Sequence, residues 1–209
     1  MSGSITLENR FGVNKMELIS LKYAIFVIVL LVLYYCFPKK YRWYVLLAGS
    51  MAYYVIICKW YVLFIIFTIC TTYGSTIWID KLLKEQNAIV KSHKEDWDRQ
   101  TRKEYKEKGR KKRVAVMLFA LLCNFGILAF LKYIPYAGEL GLLLPLGISF
   151  YTFQSMGYVM DVYREIVEPE KNFLKVALFV SFFPQIIQGP IAIYDKLAGQ
   201  LYELSLIHI

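Results

Sequence analysis

Six stretches of this chain contain no Asp, Glu, Lys, Arg or His: residues 23–38, 43–58, 60–79, 114–131, 140–160 and 176–194. A helix needs about 20 mostly apolar residues to cross bilayer hydrocarbon, and slightly fewer when flanking Lys or Arg snorkel. The shorter runs reach that length by taking in neighbours such as Lys22, Arg42 and Lys59. The expected fold class is therefore all-α, a polytopic transmembrane bundle. Its spans fall at about 21–38, 42–59, 60–79, 114–132, 140–160 and 175–194. A soluble bundle would need polar helix faces, which the first four runs lack. With 57% hydrophobic residues, the chain is also too apolar for disorder. Phe37 is followed by no small-residue cleavage site, so the first run does not read as a cleavable signal.

Charge orients the bundle. Residues 80–113 hold thirteen of the 25 Lys and Arg against seven acids, out of a formal net charge of +9. Basic connections favour the cytoplasmic side, which makes 80–113 a cytoplasmic loop and 1–20 an extracytoplasmic tail. The same alternation puts Lys39, Lys40 and Arg42 inside, and 161–175 with Arg164, Lys171 and Lys175 inside as well. The loop is expected to start as helix and continue as a charged amphipathic segment lying along the membrane. It is either a solvated, inside-positive face or a contact for an acidic cytosolic donor or anionic lipid. It lacks a nucleic-acid motif and aromatic interleaving, so nucleic acid is not an expected partner. His93 reads as a surface residue. Cys36, Cys58, Cys70 and Cys123 all lie in proposed spans without metal-ligand spacing, so no metal site is expected.

Within the early spans, Ala48, Gly49, Ser50 and Ala52 allow close helix packing. Tyr41, Trp43 and Tyr44 stand where an interfacial aromatic belt would. Thr68, Thr71, Thr72 and Ser75 are expected to bond their own helix backbone, and Asn124 to link two helices.

The last two runs differ. Pro145 and Gly147 interrupt the fifth, so that piece bends, breaks or faces protein. Beyond them Gln154, Tyr158 and Asp161 fall at i, i+4 and i+7 on one helical face, with Arg164 three residues after Asp161. That spacing permits an Asp161–Arg164 ion pair. The face is either structural or the wall of a pocket for a polar headgroup or nucleotide-bearing donor. In the sixth run Gln185 and Gln188 share a face, while Pro184 and Gly189-Pro190 break regular helix. A kinked or re-entrant element results, whose polar groups either bind substrate or satisfy one another. Gln154, Tyr158, Asp161, Arg164, Gln185 and Gln188 are the candidate substrate-binding residues; none is assigned as catalytic.

The blocks LPLGISFYTFQSMGYVMDVYR at 144–164 and FVSFFPQIIQGPI at 179–191 resemble signatures of the membrane-bound O-acyltransferase family. The branch is that typified by the alginate O-acetyltransferase membrane subunit. RWYVLLAGSMAYYVI at 42–56 and NFGILAFLKY at 124–133 resemble its weaker amino-terminal signatures, and the likeness covers roughly 16–203. A branch that moves D-alanine to teichoic acids is similar in plan but lacks the full GISFYTFQ pattern. The resemblance implies a partial acyltransferase domain over 21–203 in a bacterial cytoplasmic membrane. It implies transfer of an acyl group, acetyl in this branch, from a cytoplasmic donor such as acetyl-CoA. The acceptor would be a hydroxyl of an exported polysaccharide, reached with an extracytoplasmic acyltransferase partner and no bound cofactor. Such proteins use a membrane-embedded histidine that lies beyond the part matched here, so residues 1–209 alone are expected to be inactive. Leu204–Ile209 depart from the pattern as an atypical tail, and His208 lacks the tryptophan-rich setting of that histidine. Ile193 stands where relatives commonly have arginine. A transporter or permease subunit is the alternative function, since broken helices with paired polar groups also describe a translocation path. A noncatalytic membrane scaffold is third.

Overall fold

The computed structural model describes residues 21–93, 97–133, 147–188 and 194–202, which are helical apart from short connections, of which 164–172 is the longest, and contain no strands. α1 (Leu21–Cys36) and α2 (Arg42–Cys58) form a hairpin closed by a single 3-10 turn at Lys39–Tyr41. Pro38 starts that turn in extended conformation, which ends α1. The Arg42 guanidinium then bonds the Phe37 carbonyl at 3.1 Å and lies over Tyr34 and Tyr35, 5.2 and 5.4 Å from their ring centroids. Gly49 explains how closely the two helices approach, because a Cβ there would fall against the Leu30 methyls. Ser50, Tyr53 and Tyr54 join it on the buried face, whereas Ala48 and Ala52 face outward and take no part in that packing.

α3 (Val62–Ser92, 31 residues) and α4 (Arg99–Tyr133, 35 residues) are the two described helices long and apolar enough to cross a membrane. Both continue well past the expected spans. Residues 80–92 and 99–113 therefore form the end of a helical hairpin that projects about 20 Å beyond the apolar part. This corrects the expectation of an amphipathic segment lying along the membrane. The charged residues instead lengthen α4, whose Lys- and Glu-rich composition favours unbroken helix. Trp97 fills the tip, stacked on His93 at 4.9 Å and edge-on to Tyr105 at 5.1 Å. His93 is exposed, as expected of a surface residue.

α5 (Ile148–Tyr163), α6 (Phe173–Ser181), α7 (Phe183–Gln188) and α8 (Tyr194–Tyr202) complete the chain. α3 is the hub, packed against α4, α5 and α6, while α2 packs on α1 and α6. The core between them holds Ile65, Ile69, Tyr151, Met156, Val159 and Phe179. Outward surfaces are apolar too: Ile28 on α1, Ile56 on α2 and Leu122 on α4 are 59%, 71% and 72% exposed. Side chains of this kind on both core and periphery belong in hydrocarbon, and the molecule is a helical membrane protein.

Candidate functional site

The polar centre of the molecule is built around a break in a helix. α6 ends at Ser181 because Phe182 takes ψ 104, and α7 restarts at Phe183 with Pro184 in its first turn, where the missing N–H costs nothing. A continuous helix would have bonded the Phe183 N–H to the Phe179 carbonyl. Both groups are freed, and both find partners on other helices. Gln154 Nε2 of α5 donates to the Phe179 carbonyl at 2.9 Å and to Gln185 Oε1 at 2.9 Å. The Phe183 N–H reaches Ser50 Oγ of α2 at 3.4 Å. In a medium without water these bonds are what make the break tolerable.

Next to it stands an aromatic cluster. The Tyr158 ring lies 4.3 Å from Tyr194 and 5.7 Å, edge-on, from Phe179. Tyr158 Oη accepts the Glu170 N–H at 2.8 Å. Glu170 gathers the surrounding polar groups: its carboxylate accepts from the Tyr194 hydroxyl at 3.2 Å and the Asn172 N–H at 2.9 Å, and lies 3.5 Å from Lys175 Nζ. Asn172 in turn caps α6 by accepting from the Leu174 N–H at 3.0 Å. On the other side, Tyr73 of α3 donates to the Lys171 carbonyl at 3.0 Å. The connector between α5 and α6 is thereby fastened to α3, α5, α6 and α8.

The end of α5 is equally specific. Ile166 N–H bonds the Asp161 carbonyl at 3.0 Å and Glu165 N–H bonds the Val162 carbonyl at 3.0 Å, a Schellman stop. Its left-handed position, normally glycine, is Glu165 with φ 62. That carboxylate meets the buried Arg113 of α4 at 3.2 Å, which ties the base of the projecting hairpin to α5.

Of the six sequence candidates, Gln154, Tyr158 and Gln185 come together, and two of them do so through the bond they share. Asp161 and Arg164 depart from expectation: no ion pair joins them among the described residues. α5 stops at Tyr163 and the chain reverses at Glu165, so the cation that pairs at this boundary is Arg113, and Arg164 is exposed. Gln188 closes α7, but its side chain lies outside the described residues, as do Pro145, Gly189-Pro190, Ile193 and His208. Sequence reading missed Glu170 and the Arg113–Glu165 pair. The Asn172 cap ahead of an apolar run marks where α6 starts, but nothing local reveals that a carboxylate two residues earlier meets Tyr194.

Elsewhere, Asn124 Nδ2 donates to Thr71 Oγ1 at 2.9 Å and so links α4 to α3. The hydroxyls of Thr71, Ser75 and Thr76 bond carbonyls three and four residues back in α3.

Sealed polar pairs between broken and packed helices thus characterise a membrane protein of the all-α class. Comparison with known proteins adds a chemistry. Over 28% of its length the chain is 47% identical to a protein of Pseudomonas syringae pv. tomato named probable alginate O-acetylase AlgI, matching 11% of that protein. Its namesake from Pseudomonas aeruginosa is 46% identical over the same shares of the two chains. A Helicobacter pylori protein named peptidoglycan O-acetyltransferase is 32% identical over 42% of this chain and 23% of its own. The matched part of the chain therefore spans less than a quarter of each relative. No family model matches the chain, and no solved structure does. The resemblance to O-acetyltransferases of the alginate branch is borne out by these relatives over 28–42% of the chain, not over the whole of the 16–203 expected.

Proposed function

We propose that residues 21–203 are part of a multi-pass O-acetyltransferase of a bacterial cytoplasmic membrane. Acetyl passes from a cytoplasmic thioester donor, acetyl-CoA, to a hydroxyl of an exported polysaccharide such as alginate or peptidoglycan. The acceptor hydroxyl attacks the thioester carbonyl and loses its proton, and the thiolate leaves and is protonated. An extracytoplasmic partner presents the polymer to the membrane protein. The observation that carries this reading is the 46–47% identity to proteins named alginate O-acetylase.

Within that reading the Gln154–Gln185 pair, with Tyr158 beside it, holds a helix break open between α5 and α2. A translocation path would need the glutamines to face water, whereas Gln154 is 3% exposed and hydrogen-bonded inside the protein. Residues 1–209 alone should transfer no acetyl. The reaction needs a group that exchanges a proton within the membrane, and His93, at the tip of the projecting hairpin, is far from any span.

The test is transfer of labelled acetyl from acetyl-CoA into polysaccharide by membranes carrying the full gene product. Ester formation is expected from the full product and none from residues 1–209. Absence of ester formation from the full product, supplied with its partner and both polymers, would end the proposal.

A further inference from the structure

The projecting hairpin distributes its charge unevenly. On α3, Lys81 and Lys84 are each paired within the helix, with Glu85 at 3.9 Å and Asp80 at 2.5 Å. On α4, residues 99–113 carry nine Lys or Arg and two Glu. Packing decides which of these nine are free. Arg102, Tyr105, Gly109 and Arg113 recur at helical spacing on the side turned toward the rest of the molecule. There Gln86 lies flat over Gly109, where a Cβ would collide with its amide, and bonds the Tyr105 carbonyl at 3.3 Å. The remaining cations, Lys103, Lys106, Lys108, Arg110, Lys111 and Lys112, are all exposed around the rest of the helix circumference, and no ion pair among the described residues engages them. Glu104, which accepts from Gln100 at 3.1 Å, and Glu107 are the two acids among them.

Position separates these cations. The apolar part of α4 begins at Val114. At 1.5 Å per residue, Lys108 through Lys112 stand within about 9 Å of it along the axis, close to one Debye length at physiological salt. Lys108, Lys111 and Lys112 share one face at i, i+3 and i+4. Arg99 and Lys103 lie farther out, beyond the reach of a membrane surface.

We propose that Lys108, Lys111 and Lys112 form a seat for the phosphates of anionic phospholipids where α4 enters the bilayer, with Arg110 adding charge at the same depth on the other side of the helix. The Gln86–Gly109 packing and the Arg113–Glu165 pair fix its direction. This assignment needs only that the hairpin leaves a membrane surface, and it stands or falls separately from acetyl transfer.

The test is thermal unfolding of the chain in detergent with added phosphatidylglycerol, phosphatidylcholine or glycerol phosphate. Phosphatidylglycerol should raise Tm by about 5 °C over phosphatidylcholine, as expected of a ligand bound well above its Kd. The variant K108Q/R110Q/K111Q/K112Q should lose that gain, while K91Q/R99Q/K103Q at the tip keeps it. Equal effects of the two lipids, an undiminished gain in the first variant or an equal loss in the second would overturn the proposal. So would equal stabilisation by glycerol phosphate, since a free anion would then suffice. If the first variant fails to fold, the unaltered chain decides: 0.5 M salt should abolish the lipid preference, and its persistence would refute the seat.

Discussion

Two regions of the helical core handle their polar groups in opposite ways. In α3, hydroxyls of Thr71, Ser75 and Thr76 return to carbonyls of the helix that carries them. In α5 to α7, Gln154 and Ser50 serve groups that another helix has released. The first arrangement is local and survives if neighbouring helices move. The second exists only while three helices keep their places. Polar side chains in apolar runs therefore carry different weight: a hydroxyl satisfied at home says little about a site, whereas an amide spent on a foreign backbone marks a place where the fold is committed.

The sharpest way to break this contrast is Gln154→Leu. It leaves the Phe179 carbonyl and Gln185 without their partner in a buried setting, and about 3 kcal/mol of stability should be lost. Thermal or denaturant unfolding in detergent would measure it, and an unchanged midpoint would show that α6 and α7 re-form a bond across the break. Glu170→Ala comes next. Glu170 and Lys175 keep partial solvent contact, with side chains 21% and 30% exposed, so about 1–2 kcal/mol is expected. Proteolysis of the 164–172 connector should accelerate at the same time. Asn124→Leu tests a link between two continuous helices and should cost roughly 0.6 kcal/mol, typical of such bonds in membranes. Ser75→Ala removes only a bond within α3 and should shift the unfolding midpoint least, by under about 0.5 kcal/mol. If Ser75→Ala proved as costly as Gln154→Leu, the distinction between local and tertiary satisfaction would fail.

Glu165 sharpens the same contrast from the backbone side. A residue with a Cβ in the left-handed region costs about 1 kcal/mol relative to glycine. Glu165→Gly recovers that and forfeits the Arg113 pair, so the two effects should nearly cancel in stability. Hydrogen exchange at the base of the hairpin should nonetheless rise, because the tie from α4 to α5 is gone.

Much of this was legible beforehand. The helix end at Pro38, the backbone bonds of the Thr71 and Ser75 hydroxyls, the interhelical role of Asn124 and the break near Pro184 all follow from residue chemistry within a few positions. The Thr72 hydroxyl, expected to bond backward too, is buried without a hydrogen-bond partner among the described residues. The continuity of α3 and α4 past the apolar boundary was not legible, because charge marks where hydrocarbon ends and not where a helix ends. Gln154, Tyr158 and Gln185 were picked out as a polar set, but their spacing fitted a pocket wall and a structural seal equally. Asp161 and Arg164 had the right spacing for an ion pair and do not form one, since a turn two residues later delivered Glu165 to Arg113 instead.

The sequence by itself determined that this chain is a bundle of membrane helices. Hydrocarbon offers backbone groups no partner but one another, so long uncharged runs must become helix whatever surrounds them. Only the tertiary structure decided where the break in the sixth run would be paid for, and by which side chains. Ser50 and Phe183 are 133 residues apart, Arg113 and Glu165 are 52 apart, and such encounters depend on how whole helices pack.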